Sequence, residues 1–339
     1  MTDLKTKYLG LDLKNPLVAS ASALSKKVSK VKMIEDAGIS AVVMYSLFEE
    51  QITHDSLAFN YYMERGTERF AESLDYFPNL DRYNVGPDEY LEKIRQYKDA
   101  VDIPIIASLN GVSNSGWVEY AQKMAQAGAD AIELNTYYIP ASPEISAAEV
   151  EDNTVELVKA VYSHVDIPVS VKLSPFFTAL PQLADRLVAA GAQGLVLFNR
   201  FIQPDIDIEK EVFHYPWELS NPKDRMLGLR YAGLLHGNLD GSICVSRGIY
   251  DANDVIKMIL AGADTVQMVS TIYRNQPAVV TDILIEMNRW MDDKGYKTLN
   301  DFRGKLSRKN MKDPYSYQRA QYVDILMKSD TIFKKYPMV

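Results

Sequence analysis

The stretch VDIPVSVKLSPF (165–176) decides the fold, because a short run of apolar residues ends in a single lysine. Runs of this kind suit strands that are buried on both faces. The same unit recurs along the chain, each time followed by a polar residue and then a helix-period segment: VDIPIIASLNG (101–111), ADAIELNTYY (129–138), AQGLVLFNR (192–200), GSICVSRGIY (241–250) and ADTVQMVSTIY (263–273). Strands alternating with helices in this way predict a parallel sheet, closed as a (β/α)8 TIM barrel.

The polar residues at the ends of these strands are the candidate site. In a (β/α)8 barrel they meet at one face, where such proteins carry out their chemistry. The predicted strands include Ile103–Ser108 and Val169–Lys172. The polar residues at or just past the ends of such strands then form one predicted site: Asn110, Asn135, Lys172, Asn199, Arg247 and Thr271. Lys172 is the most informative of them, because a lysine that ends a buried strand is more often a site residue than a surface one.

The remaining segments predict additions to a single barrel domain that spans residues 1–339. YLGLDLKNPLVAS (8–20) predicts an N-terminal hairpin that plugs the bottom of the barrel. A long irregular loop follows the second strand (48–85), and PDIDIEKEVFHYPWEL (204–219) predicts a hairpin inserted at the rim after the sixth strand. Residues 296–339 are expected to form a C-terminal extension packed on the barrel.

The composition favours a metabolic enzyme in a reducing cytoplasm. A net charge of −8 and the lack of a dense basic run argue against nucleic acid as a partner. The single cysteine, Cys244, excludes an intrachain disulfide framework and a cysteine-ligated iron–sulfur cluster within this chain. No apolar stretch approaches about 18 residues, so no membrane association is expected. The four histidines lack metal-ligand spacing, and no metal site is predicted.

The last two units predict a phosphate site. Gly248 lies at one strand-to-helix turn and Ser270-Thr271 at the next, and backbone amides at adjacent helix N-termini bind phosphate. The alternative is that Gly248 only permits a tight turn and Ser270 only caps a helix. A phosphate site beside Lys172 and several asparagines suits a phosphorylated cofactor such as FMN.

The chain resembles the dihydroorotate dehydrogenase family over nearly its whole length. The resemblance is carried by the order and spacing of NPLVASAS (15–22), IIASLNG (105–111), GADAIELN (128–135), IPVSVKLSP (167–175), LVLFN (195–199), SRGI (246–249) and AGADTVQMVST (261–271). It implies an FMN-dependent oxidoreductase of the soluble class, which oxidises dihydroorotate to orotate in pyrimidine biosynthesis.

The resemblance also implies roles for individual residues. FMN would lie across the top of the barrel, with flavin contacts from Ala19, Ser20, Ser46, Asn110, Asn135, Lys172, Ser246, Arg247, Gly248, Ser270 and Thr271. Lys172 would lie near the N1–O2 edge, where an ammonium group stabilises the negative charge of reduced flavin. Asn135, Asn199 and Tyr45 would face a small-molecule substrate, and a homodimer is one option for the assembly.

The chain departs from the family at three positions. Members usually carry a Ser-Cys-Pro-Asn segment or a serine equivalent after the asparagine of the ELN motif, and the Cys or Ser removes the C5 proton. This chain instead has Asn135-Thr136-Tyr137-Tyr138-Ile139-Pro140. A lysine common past the second strand is replaced within Met44-Tyr45-Ser46, and the glycine-rich phosphate motif is reduced to Ser246-Arg247-Gly248.

Three hypotheses account for the missing base. Tyr138 or Tyr45 could take the proton, since a phenol titrates at about pH 10 and a neighbouring cation such as Lys172 favours its anion. The substrate could be another cyclic amide or enone, with the aromatic residues forming a different pocket; the joint loss of basic and acid–base groups favours this hypothesis. FMN could also bind without efficient turnover. Outside flavin chemistry, the alternative is a phosphate-binding barrel lyase or isomerase.

Overall fold

The computed structural model describes residues 2–48, 87–110, 114–216 and 218–328. The strands within these ranges, numbered in chain order, are β1 (Thr6–Tyr8), β2 (Leu11–Leu13), β3 (Leu17–Ala19), β4 (Ala41–Val43), β5 (Leu47–Phe48), β6 (Ile105–Asn110), β7 (Ala131–Asn135), β8 (Val169–Leu173), β9 (Gly194–Leu197), β10 (Asp205–Asp207), β11 (Val212–His214), β12 (Ser242–Ser246) and β13 (Thr265–Met268).

The α-helices of the described ranges lie mostly between the barrel strands. They are α1 (Val28–Asp36), α2 (Pro87–Ala100), α3 (Asn114–Gln126), α4 (Ala147–Tyr162), α5 (Leu180–Ala189), α6 (Arg225–Leu235), α7 (Ala252–Ala261), α8 (Ser270–Asn275), α9 (Val279–Lys294) and α10 (Arg319–Met327).

Parallel pairing closes the barrel. The strands pair in the order β3, β4, β6, β7, β8, β9, β12 and β13, and β13 returns to β3. Every residue of β6, β7 and β8 is buried, because side chains on one face fill the barrel and those on the other face meet the helices. The predicted (β/α)8 architecture is confirmed.

The helices bury one stripe and end where the sequence allows a tight turn. In α5 the buried residues are Leu180, Leu183, Ala184 and Leu187, which is the spacing of one helical face. The Ala-Gly pairs that often precede a strand lie at these turns, where the glycine ends the helix. Gly262 ends α7 with φ +123, a backbone conformation that disfavours any residue with a Cβ.

The N-terminal hairpin closes the bottom of the barrel, as predicted. Strands β1 and β2 pair antiparallel. Tyr8, Leu9 and Leu13 pack in one cluster with inward residues of the barrel strands, among them Cys244. Burial raises the pKa of the Cys244 thiol to about 12, as is usual for a cysteine in a hydrophobic core.

The other additions are a rim hairpin and a C-terminal segment. Strands β10 and β11 form the predicted antiparallel hairpin after β9, the sixth barrel strand. Leu299 and Phe302 are buried, and the main chain of residues 304–308 hydrogen-bonds to Ile259, Leu260 and Gly233. Beyond this segment, α10 has no buried residue.

Most of the predicted 48–85 loop lies outside the described residues. No described helix is long and apolar enough to cross a membrane.

Candidate active site at the carboxyl end of the barrel

Three predicted side chains form a row across adjacent strands. Asn110 of β6 is in register with Asn135 of β7, and Asn135 is in register with Lys172 of β8. All three residues are buried. Because register neighbours on parallel strands lie side by side, the strand ends bring two amides and one ammonium group into a single line.

Lys172 is held by a buried polar network. Its Nζ lies 3.1 Å from Glu133 Oε1, 3.0 Å from Gln267 Oε1 and 3.4 Å from Ser20 Oγ. Gln267 Nε2 donates to the second carboxylate oxygen of Glu133. The side chains of Lys172 and Glu133 are 7% and 1% exposed. The network therefore joins four strands or strand ends inside the barrel and gives the lysine three acceptors, one for each ammonium hydrogen.

Sequence reasoning missed Glu133 and Gln267. Glu133 stands in an otherwise apolar strand, AIELN, and a charge in such a strand needs a partner of opposite sign. That signal was available in the sequence. The partner was not, because Lys172 and Gln267 approach Glu133 only when the barrel closes.

The amides of Asn135 and Asn199 meet across β7 and the end of β9. Asn199 Nδ2 donates to Asn135 Oδ1 at 2.7 Å, and Asn199 Oδ1 accepts from the Arg200 amide at 2.9 Å. Asn199 is held in place by its own main-chain N–H, which donates to Leu173 O at 2.8 Å. The pair presents amide groups beside Lys172, a chemistry that matches the carbonyl and N–H groups of a cyclic amide.

The turn after β12 has an unusual backbone. Arg247 and Gly248 have φ values of +78 and +66, both in the left-handed region. A Cβ on Gly248 would lie 2.6 Å from Arg225 N and 2.8 Å from Asn221 O, so only glycine fits there.

Ser220 connects the two predicted phosphate-binding turns. Its Oγ accepts from the Gly248 amide at 3.3 Å and lies 2.8 Å from Ser270 Oγ. Its main-chain N–H also donates to Ser270 Oγ at 3.2 Å. Thr271 Oγ1 donates instead to Tyr250 O at 3.1 Å. Sequence reasoning missed Ser220, because only the folded chain places the segment ahead of α6 between these turns.

The charges at this turn fit a phosphate. Arg247 Nε is buried and has no hydrogen-bond partner among the described residues. Its guanidinium lies 3.6 Å from Asp224; burial lowers the pKa of Arg247, Asp224 opposes that shift, and Arg200 acts in the same direction as burial. An anion would satisfy the unpaired Nε and relieve the repulsion between the two guanidinium groups. The residues present are therefore compatible with a bound phosphate group.

The remaining flavin-lining predictions lie at or just past the ends of β3, β4 and β12, and Ser246 is the last residue of β12. Ser20 follows β3 directly after the buried Ala19, and its main-chain N–H donates to Met268 O at 3.1 Å. Ser46 Oγ lies 2.8 Å from Ser108 Oγ of β6. These residues border the same face of the barrel as Lys172, and their contact with flavin stays a prediction.

Tyr45, a predicted substrate-facing residue and one of two candidate bases, lies in a buried aromatic environment. Its ring packs edge-on against Tyr90 of α2, with 5.0 Å between the ring centroids. Burial raises the pKa of Tyr45, and Tyr97 and Glu89 act in the same direction. This environment disfavours the phenolate that a base would need, although Lys26 Nζ lies 5.6 Å from the centre of the ring.

The loop after β7 carries aromatic residues at the rim. Tyr138 is 42% exposed. Tyr137 stacks on Phe201, with 4.3 Å between the ring centroids, and Phe176 meets Phe201 edge-on at 5.1 Å. A groove of about 520 Å³ adjoins this stack and is lined by Tyr137, Ile139, Ile202, Pro204, Phe213 and Tyr215.

The fold and these side chains define a (β/α)8-barrel protein with a polar site and an anion-compatible turn at the carboxyl end of its strands. Residues 70–291 match the family model described as dihydroorotate dehydrogenase. The chain belongs to the dihydroorotate dehydrogenase family.

Relatives match over most of their own length. A Methanocaldococcus jannaschii protein is 31% identical over 279 residues, which cover 80% of this chain and 87% of the relative. A Thermoplasma acidophilum protein is 27% identical, and the match covers 90% of this chain and 99% of the relative. A relative from Alkaliphilus metalliredigens is 26% identical with the same coverage. All three are named dihydroorotate dehydrogenase B (NAD(+)), catalytic subunit.

Proposed function

We propose that this protein is an FMN-dependent oxidoreductase that acts on a CH–CH bond of a cyclic amide, with dihydroorotate as the substrate to test first. The family membership supports this activity, and relatives carry the name of that enzyme. The observation that carries it is the Lys172 ammonium group, which is anchored beside the Asn135–Asn199 amide pair at the mouth of the barrel.

The proposed cofactor is FMN because the anion-compatible turn suits one terminal phosphate. Arg247 would hold that phosphate through its unpaired Nε, together with the hydroxyls of Ser220 and Ser270. Bound FMN supplies two-electron redox chemistry and accepts the hydride that leaves the substrate. Lys172 would place a positive charge beside the reduced ring and so favour the electron-accepting step.

The hydroxyl groups in the loop after β7 limit which residue can accept the proton that leaves the substrate. Thr136 Oγ1 donates to Lys172 O at 3.2 Å, so this hydroxyl is already engaged. Tyr137 is stacked on Phe201. Tyr138 occupies the position of the family's Cys or Ser in an ungapped match, and it is the hydroxyl of this loop that we propose as the proton acceptor.

A different cyclic substrate is the second candidate, and the aromatic groove favours it. Dihydroorotate is a small polar anion, whereas the groove beside Tyr137 is lined by apolar and aromatic side chains. Such a lining suits a cyclic amide or enone with an apolar substituent. In this case the Tyr137–Phe201 stack would contact the substituent, while Asn135 and Asn199 would bind the ring.

The proposed cellular setting follows the resemblance. We place the protein in the cytoplasm and its reaction in pyrimidine biosynthesis. The relatives are named as catalytic subunits, which suggests a second subunit as the electron-transfer partner for this chain too. A homodimer stays an option for the assembly of the chain.

An absorption spectrum of the purified protein tests the cofactor. We expect a yellow protein that releases FMN, not FAD, on denaturation. Stopped-flow mixing with dihydroorotate should then bleach the flavin bands. Bleaching by dihydroorotate supports the first candidate, whereas rapid reoxidation of the reduced protein by 2-cyclohexenone without bleaching by dihydroorotate supports the second. A protein that stays colourless after reconstitution with FMN would contradict both and favour a phosphate-binding lyase or isomerase.

A further inference from the structure

Glu133, the buried partner of Lys172, takes no direct part in the steps of the proposed function. Glu133 lies on β7 two residues before Asn135, and side chains two apart on a strand point the same way. Its register partner on β8 is Ser170, while Lys172 is level with Asn135. Glu133 therefore lies one layer deeper in the barrel than the amides, directly beneath the ammonium group.

Lys172 is the counter-ion of Glu133. Among the residues that the structure describes, Tyr8 of the hairpin, Tyr90 of α2 and Cys244 of β12 also interact with Glu133. They are weak acids, and burial raises the pKa of each, so they are neutral near pH 7. A carboxylate that is 1% exposed needs a compensating charge, and the Nζ at 3.1 Å supplies it.

The network also restricts the position of the ammonium group. Glu133 Oε1 and Gln267 Oε1 accept from Lys172 at 3.1 and 3.0 Å, and Gln267 bridges back to Glu133. The longest contact is the one to Ser20 Oγ at 3.4 Å, and Ser20 lies at the strand end. A ligand at the mouth of the barrel would compete with this contact first, because the two deeper acceptors hold the lysine more closely.

We infer that Glu133 is a positioning residue for the flavin reaction, acting through Lys172. It keeps the lysine at one site beneath the proposed flavin, and its negative charge partly offsets the positive charge that the flavin experiences. The electron affinity of the bound flavin is then set by the ion pair and not by Lys172 alone. This inference rests on the proposed function.

A double-mutant cycle in the flavin-free protein tests the ion pair without any ligand. The variants are Glu133→Gln, Lys172→Met and the double substitution, each unfolded in urea. We expect each single substitution to lower the denaturation midpoint, because it leaves a buried charge or a changed network, and the double substitution to recover most of the loss. Strictly additive losses would overturn the inference.

Redox titration of the FMN-loaded protein against a reference dye tests the positioning role. Glu133→Gln keeps the size and acceptor of the side chain, so Lys172 stays hydrogen-bonded but loses its compensating charge. At a fixed potential near pH 7, the ratio of reduced to oxidised flavin should rise about tenfold, a positive shift of about 30 mV for a two-electron couple. In the Lys172→Met background the shift should vanish, because a carboxyl buried without a cation is already neutral.

Asp264→Asn provides the matched control. Asp264 lies just before β13, at the opposite end of the barrel, and pairs with Arg303 at 3.4 Å. Its replacement should lower stability without moving the flavin potential. An unchanged potential in Glu133→Gln, or the same shift in both Lys172 backgrounds, would overturn the positioning role. A parent protein that binds no flavin would overturn the proposed function, while the flavin-free cycle would still decide whether the pair forms.

Discussion

At the scale of single residues, the site depends on how a few polar groups are paired inside the barrel. Lys172 is buried and forms an ion pair with Glu133. Arg247, in contrast, keeps a buried Nε without a partner among the described residues. Arg247 also has a carboxylate nearby, Asp224 at 3.6 Å, but its Nε is left for an anionic ligand. This difference supports the proposal that Lys172 lies at the ring and Arg247 at the phosphate of the cofactor.

Replacing Lys172 by Met should slow flavin reduction by dihydroorotate about 10²–10³-fold, the usual cost of losing one charged group that stabilises a transition state. Stopped-flow absorbance of the FMN-loaded protein measures the rate. Lys98→Met is the control, since Lys98 forms an ion pair with Asp130 at the opposite end of the barrel. Equal rates in Lys172→Met and the parent would contradict a role for this lysine in the chemical step.

Replacing Tyr138 by Phe tests the proton acceptor. If the Tyr138 hydroxyl takes the substrate proton, the rate of bleaching should fall about 10²–10⁴-fold, the typical cost of losing a general base. In the parent, the rate should also rise with pH toward the range where a phenol ionises. Tyr137→Phe, which keeps the stack on Phe201, serves as the control. Rapid bleaching that survives in Tyr138→Phe would reject the tyrosine base.

At the scale of elements, the turn between β12 and α7 shapes the proposed phosphate site. It packs against the segment ahead of α6, where Ser220 bridges Gly248 and Ser270. Backbone atoms of Asn221 and Arg225 lie so close to Gly248 that a side chain cannot enter without moving them. The close approach explains why the reduced Ser246-Arg247-Gly248 motif keeps its glycine.

Gly248→Ala should weaken FMN binding at least tenfold, because the added Cβ displaces the backbone that forms the turn. Gly295→Ala is a matched control: Gly295 also has a positive φ, of +73, but an added Cβ there meets nothing within 4 Å. Both variants should lose roughly 1–2 kcal/mol of stability from the left-handed backbone. Fluorescence titration with FMN measures the affinity. Equal affinity in the two variants would contradict the assignment of this turn to phosphate.

At the scale of the whole molecule, the bottom of the barrel is joined to both ends of the described chain. Asp264 Oδ2 accepts from the Ile243 amide at 2.8 Å, and its main-chain O accepts from Thr6 of the hairpin at 3.1 Å. Its carboxylate pairs with Arg303 of the C-terminal segment. These contacts stabilise the end of the barrel that lies opposite the proposed site. In (β/α)8 barrels the two ends commonly serve stability and chemistry in this way.

The pH dependence of stability tests this junction. Desolvation raises the pKa of Asp264, so the folded state binds its proton more tightly than the unfolded chain does. The resulting stabilisation is present at low pH and is lost as the pH rises through the folded-state pKa. The difference in unfolding free energy between the parent and Asp264→Asn should therefore grow as the pH falls from 7 toward 4. Urea unfolding at several pH values measures it; a constant difference would contradict the desolvation of this carboxylate in the folded state.

The sequence by itself determined the eight-stranded barrel and the hairpin plug, and it gave the ends of β6 and β8 to within about two residues. Apolar runs are local signals, and a run that ends in a polar residue marks the carboxyl end of a strand whatever its neighbours are. The row of Asn110, Asn135 and Lys172 follows directly from such ends. One small error also had a local cause: β6 begins at Ile105 and not at Ile103, because Pro104 lacks the N–H that a strand interior uses.

Only the tertiary structure decided which polar groups meet. Glu133 and Gln267 are 134 residues apart, and Ser220 reaches Ser270 across 50 residues of chain. The raised pKa of Tyr45 likewise depends on burial beside Tyr90, which the order of residues does not reveal. Hydrogen bonds and ion pairs act over a few ångströms, so pairings between distant segments exist only once the barrel has closed.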